Sequence, residues 1–362
     1  MIKNFVSTIE WLKHKNSFYK NMERFYRDEL ISKNDVEPIY ECEKQIEEEF
    51  AKHANSKYCV LISCGTKAIE LALKSFDIKD GDEVITTPLT FIATVNAIRL
   101  VGAKPVFVDV KKDTWNIDEN KIAEKITDKT KAIIPVDIFG NPCNYDKILE
   151  IAKKYNLRVI NDCCQSFLSK YNNKNIGGFG DISCFSTGGT KPFCGIGEGG
   201  FITTNNKEVY EKIKSYINYN YIYNNKYGTN GTNGEMEYLE IVYLYSKLNE
   251  LDNILSWKNE IADIYKQMKG IIWQKQEPNA ISVWCYMQGV FESNNNRNCA
   301  KKIFQLGDIY NKTICDNDLY IKYQKEVPIA RKIACNSMSF PIYPYMNKDV
   351  LIKAIQEYNS LL

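Results

Sequence analysis

Between about Cys59 and Thr204, short β-branched runs alternate with segments of helical period, and Gly or Pro punctuates the joins. Tyr58 to Ile62 reads as a strand, Ser63-Cys64-Gly65 as a turn, and Thr66 to Phe76 as a helix with Ile69, Leu73 and Phe76 on one face. Glu83 to Thr86 is a strand and Phe91 to Val101 a helix; Pro105 to Val110 and Ala132 to Ile138 are further strands. Asn144 is placed to cap a helix carrying Ile148, Leu149 and Ala152. Leu157 to Asp162, Ile182 to Ser186 and Gly200 to Thr204 complete the strands of this region. Helices alternating with near-continuous apolar strands predict a mostly parallel sheet covered on both faces. In such sheets ligands gather outside the carboxyl ends of the strands.

The pattern then changes. Asn218 to Gly234 is rich in Asn, Tyr and Gly, has no period and reads as a loop. Met236 to Met268 approximates one long helix with a stripe of Leu239, Val242, Leu248, Leu251 and Ile254. Gly270 to Leu362 mixes short strands and helices and ends in a helix over Lys348 to Tyr358. The predicted organisation is a large α/β domain over 1–245, with an N-terminal helical extension over 1–37, and a smaller α+β domain over 246–362.

Length and composition narrow the class. The 362 residues suit two domains, and 44% hydrophobic with 25% charged residues excludes a disordered scaffold. Lys and Arg number 47 against 45 Asp and Glu, so no basic excess exists to neutralise nucleic-acid phosphates. No apolar run reaches the roughly 18 residues of a membrane span, and the charged N-terminus lacks a signal-peptide core. The expectation is a soluble, cytoplasmic protein without nucleic-acid or membrane partners. The 12 cysteines show no metal-ligand spacing, so reduced thiols acting as small buried hydrophobes are expected, the Cys163-Cys164 pair included, with no metal. Only His14 and His53 are present, both in polar helix-like sequence, so the proton carrier of an enzyme here is Lys, Asp, Glu or Tyr.

The densest signals lie in Asp181 to Gly200, DISCFSTGGTKPFCGIGEGG. Gly195 to Gly200 matches G-x-G-x-x-G formally, but a strand follows where a dinucleotide fingerprint needs a helix. What remains is Lys191, with no other charge between Asp181 and Glu198. A lysine in low dielectric is expected to have a depressed pKa and to act as a nucleophile able to form a Schiff base. With pyridoxal phosphate (PLP), that chemistry also needs an acid at the ring nitrogen, an anion cradle and a flat neighbour. Asp162 ends a strand and can keep the nitrogen protonated; Gly65 and Thr66 open a helix whose N–H groups can bind phosphate. Ser186 can add a hydroxyl to the same phosphate, and Phe91 is placed to stack, although alone it reads as a core residue.

These residues sit in segments that resemble the DegT/DnrJ/EryC1/StrS aminotransferases. The resemblance is carried by Gly65-Thr66, GDEVITTPLTFIATVNAIRLVGAKPVFVDV (81–110), VINDCCQSF (159–167), FSTGGTKPFCGIGEGG (185–200) and MSFPIYPYMNKDVLIKAI (338–355). It runs from about Pro38 to Asp252 and returns from Pro328. It implies PLP fold type I, aspartate aminotransferase-like, with a mostly parallel mixed sheet. It further implies that Lys191 bonds the cofactor and shuttles a proton, Asp162 pairs with the ring nitrogen, and Gln165 approaches the ring's phenolic oxygen. Phe91 would cover the ring, while Gly65, Thr66 and Ser186 hold the phosphate. Gly231 to Met236 aligns with the family's G-x-N-x-R-M segment, which implies that Asn233 reaches the cofactor phosphate of a neighbouring subunit and that the assembly is a homodimer with shared sites. Three positions depart from the family: Glu235 for Arg, Cys64 for Ser or Asn, and Asn161 for Glu. Ile271 to Val327, in the region associated with the nucleotide-sugar substrate, has no clear counterpart.

The implied activity is a ping-pong transfer: an amino acid, L-glutamate, converts PLP to the pyridoxamine form (PMP), which aminates a keto sugar, nucleotide-linked, for surface-polysaccharide or secondary-metabolite synthesis. The alternatives are a non-nucleotide ketone, such as a ketocyclitol or small keto-phosphate, and a catalytically dead subunit. A related dehydratase would carry His at the position of Lys191.

Overall fold

The computed structural model describes residues 11–23, 37–222, 226–227 and 231–362. Seven strands form the central sheet in the order Tyr58–Ile62, Gly200–Thr204, Ile182–Ser186, Arg158–Asp162, Thr130–Ile133, Glu83–Thr86 and Lys104–Phe107. The pairings from Ile182–Ser186 through to Lys104–Phe107 are all parallel. Gly200–Thr204 runs antiparallel to both of its neighbours, so Tyr58–Ile62 again points the same way as the parallel set. The carboxyl ends of six strands therefore open on one edge, which is where the expected site residues lie.

Both faces of the sheet are covered, as the apolar strands require. Helix Gly65–Ser75 buries Ala68, Ile69, Leu71, Ala72 and Leu73, with the Cys64 side chain accepting from the Lys67 N–H at its start. On the other face, Phe50, Phe167, Phe185 and Phe201 make a dense aromatic cluster, with Phe185 and Phe201 stacked 4.4 Å apart. Burial of this kind contributes about 25 cal/mol per Å² of apolar surface and supplies the main drive for folding.

The strand expected over Ala132 to Ile138 stops at Ile133. Pro135 brings no N–H to a ladder, and the chain then tightens into a 3-10 turn over Ile138–Gly140, with Phe139 at φ 59°. The long helix expected from Met236 to Met268 is two helices, Tyr238–Tyr245 and Leu251–Tyr265, joined by a 3-10 turn at Leu248–Glu250. At the break the Ser246 hydroxyl bonds back to the Val242 carbonyl at 2.8 Å, and Leu239, placed on the buried stripe, is 47% exposed. The stretch 218–234, read as a loop, contains two short paired segments, Tyr221–Ile222 and Lys226–Tyr227. Of the N-terminal extension, 11–23 is helical and Glu37 opens helix Glu37–His53; 1–10 and 24–36 lie outside the described residues.

The C-terminal part is α+β. Ile271–Trp273, Met287–Phe291 and Ser337–Phe340 form an antiparallel sheet. Helices Leu251–Tyr265, Asn294–Ile303 and Lys348–Ser360 contribute to its separate apolar cluster. A further cluster joins it to the large sheet: Phe107, Trp115 and Phe139 pack with Tyr310, Tyr320 and Val327. This contact brings the segment around Tyr310 to the sheet edge. Among the described residues no helix is long and apolar enough to cross a membrane.

Candidate active site

A cavity of about 360 Å³ opens at the carboxyl edge of the sheet, lined by Gly65, Thr66, Phe91, Asp162, Gln165, Ser186 and Lys191. Seven of the eight expected cofactor residues thus meet in one place although 126 positions separate Gly65 from Lys191. The eighth, Asn233, does not line it; its backbone forms an isolated bridge with Asn218.

Asp162 is the last residue of its strand and is buried. Its Oδ2 accepts from Thr94 Oγ1 at 2.6 Å and its Oδ1 from the Cys164 N–H at 3.2 Å. Thr94 Oγ1 lies 2.8 Å from Thr90 Oγ1. Because Thr94 gives its only hydroxyl proton to the carboxylate, Thr90 must be the donor of that pair, and the chain of bonds has one direction. Phe91, expected as core by itself, instead stands 57% exposed at the start of helix Ile92–Leu100, free on one side to face a ligand.

Gln165 has a fixed orientation. Its Oε1 accepts from the Phe139 N–H at 2.8 Å, and its Nε2 donates to Tyr310 Oη at 3.0 Å. Cys164, read from sequence as packing, is a cavity-wall residue. Gly65 is needed where it stands: a Cβ there would lie 2.8 Å from Cys164 Sγ and 3.0 Å from Ser186 Cβ.

Lys191 lies on a turn in which its N–H donates to the Gly188 carbonyl at 2.9 Å. Burial pushes the ammonium toward a lower pKa, as expected from the uncharged surroundings. The acidic groups around it, Tyr286, Cys285, Cys164 and Asp162, outweigh that push, and the result is a raised value. The sequence expectation of a depressed pKa is therefore corrected: these acidic groups come from elsewhere in the chain, and sequence neighbours do not reveal them.

A second acid holds the lysine loop. Glu240, buried on helix Tyr238–Tyr245, accepts from the Ile196 and Gly197 N–H groups at 3.0 and 2.9 Å. Burial raises its pKa to about 7 against these stabilising N–H bonds. A Cβ on Gly195 would overlap the Glu240 carboxylate, so any larger residue there would displace that carboxylate from the two N–H groups. Thr94, Tyr286, Tyr310 and Glu240 were missed by sequence reasoning. Only Thr94 carried a usable signal, since it lies one helical turn from Phe91 and so faces the same way.

The family profile for the DegT/DnrJ/EryC1/StrS aminotransferases matches residues 22–357. The chain belongs to the DegT/DnrJ/EryC1/StrS aminotransferase family. The match runs through Ile271 to Val327, so the stretch without an evident counterpart in the sequence is part of the family's chain after all. A GDP-perosamine synthase of Escherichia coli O157:H7 is 34% identical over 326 residues, covering 88% of this chain and 89% of that one. A dTDP-3-amino-3,6-dideoxy-alpha-D-galactopyranose transaminase of Aneurinibacillus thermoaerophilus is 35% identical over 321 residues, covering 86% and 88%. Among solved structures, DesV of S. venezuelae, in complex with a ketimine intermediate, superposes with a TM-score of 0.89 at 23% identity, over 98% of this chain and 96% of that one. The family's mixed α/β architecture is thus shared along nearly the whole length.

Proposed function

We propose that this aminotransferase is PLP-dependent and moves an amino group from an amino acid, L-glutamate, to a nucleotide-linked keto sugar, in the cytoplasm, for surface-polysaccharide or secondary-metabolite synthesis. The observation that carries the reading is the meeting of Lys191, Asp162 and the helix start at Gly65-Thr66 around one cavity. The printed names of the two curated relatives, a GDP-perosamine synthase and a dTDP-sugar transaminase, support the substrate class. In this reading residues 1–245 form the cofactor-binding domain and 246–362 the smaller domain.

The residues present fit PLP. The cavity volume suits a small cofactor, the bare Gly65 position leaves N–H groups open at a helix N-terminus, and a buried carboxylate stands ready for a protonated ring nitrogen. When bound, PLP supplies an electron sink and a carrier for the amino group. Lys191 would hold the cofactor through Nζ and, once released, would move a proton at that atom. Asp162, its oxygens oriented by Thr94 and the Cys164 N–H, would keep a proton on the ring nitrogen. Gly65, Thr66 and Ser186 would hold the phosphate, and Phe91 would cover the ring. The assembly in this reading is a homodimer in which Asn233 reaches the cofactor phosphate of the neighbouring copy. The exposed apolar side chains of Ile196, Tyr238 and Leu239 support such a contact.

The test is optical. The PLP-loaded chain is yellow, loses its visible band on addition of glutamate, and regains it when a nucleotide-linked keto sugar is added. A chain that binds PLP but keeps its band in the presence of every amino acid tried is not this enzyme.

A further inference from the structure

The bond between Gln165 and Tyr310 spans 145 positions and ties the C-terminal part of the chain to the cavity wall. Both residues are buried, at 3% and 9% exposure, and both line the cavity. The amide of Gln165 can take only one orientation. Turned over, its NH₂ would face the Phe139 N–H, leaving two buried donors opposed and the Tyr310 hydroxyl as the only group able to adapt. With the observed orientation, one N–H of Nε2 goes to Tyr310, and among the described residues the other has no acceptor. The ring of Tyr310 is packed on Phe139, with centroids 5.5 Å apart, so its hydroxyl cannot follow a swinging amide. Burial holds that hydroxyl well above its ordinary pKa, and it stays neutral across the working range.

We propose that Tyr310 is a positioning residue: it locks the Gln165 amide so that its second N–H faces the phenolic oxygen of the cofactor ring. The proposal rests on the PLP reading above. An N–H held against that oxygen stabilises negative charge there and favours the form of the lysine-linked cofactor that has lost its proton. The electronic state of the cofactor thereby depends on a residue supplied by the part of the chain that the sequence could not assign. Without the Tyr310 hydroxyl, the amide is held only through Oε1 by the Phe139 N–H, and its NH₂ end is less firmly fixed.

The test is a pH titration of the visible absorbance of the PLP-loaded protein without substrate, between about pH 5 and pH 9. Tyr310→Phe keeps the ring packing and PLP occupancy but raises the titration midpoint by about half to one pH unit, the worth of one hydrogen bond. Gln165→Ala raises it at least as far. The double variant goes no further than Gln165→Ala alone, because Tyr310 acts through the amide. An unmoved midpoint in Tyr310→Phe, or shifts that add in the double variant, overturns the proposal while leaving the PLP reading intact. A wild-type chain that takes up no PLP overturns both.

Discussion

Thr94 Oγ1 lies 2.6 Å from Asp162 Oδ2, donating to a buried carboxylate at the end of the central strand. The donor comes from helix Ile92–Leu100, which follows strand Glu83–Thr86, two places along the sheet from the Asp162 strand, so two elements fix the acid rather than one. Replacing Thr94 by Val keeps the shape and removes the donor. A hydrogen bond to a charged group is worth about 1.5–3 kcal/mol. The expected outcome is a kcat lower by about tenfold or more with PLP still bound, measured by steady-state kinetics beside cofactor content. Unchanged turnover would show that the Cys164 N–H alone orients Asp162 and that Thr94 is dispensable.

Gly65 makes a second prediction. A methyl group at 65 meets Cys164 Sγ and Ser186 Cβ at or below 3.0 Å and crowds the place assigned to the phosphate. Gly65→Ala is expected to weaken PLP affinity by at least about tenfold, the effect of losing one or two fitted N–H contacts. Equilibrium dialysis against PLP measures it. An equal Kd would move the phosphate elsewhere.

Most of the fold and most of the cavity wall were legible because the information is local. Strand alternation, the Gly-marked turns and the uncharged setting of Lys191 can each be seen within about twenty residues. What escaped needed partners from far along the chain. Glu240 meets the lysine loop across 44 positions, and Tyr310 meets Gln165 across 145. The raised pKa of Lys191 has the same origin, since Tyr286 and Cys285 are brought to it only by folding. The break at Ser246 was invisible for another reason: it contains neither Gly nor Pro, and the apolar period continues through it.

Glu240 predicts a pH effect on stability. Its pKa is about 7 in the folded chain, raised by burial from the ordinary 4.5. A carboxyl whose folded pKa is raised lets the native state hold the proton longer, so its contribution is complete below about pH 4.5 and is lost as pH rises through 7. The loss amounts to about 3 kcal/mol. Glu240→Gln has no such titration. Its stability relative to the wild-type chain is therefore expected to rise by up to about 3 kcal/mol between pH 5 and pH 8, read from urea unfolding at both values. A pH-independent difference would show that Glu240 is already ionised at pH 5.

The central claim concerns which nitrogen carries the cofactor. Borohydride reduction of the PLP-loaded chain followed by peptide mass spectrometry is expected to find the pyridoxyl group on the peptide containing Lys191, and Lys191→Ala is expected to lose both the label and the yellow colour. A label on any other lysine, or full colour in Lys191→Ala, would contradict the account.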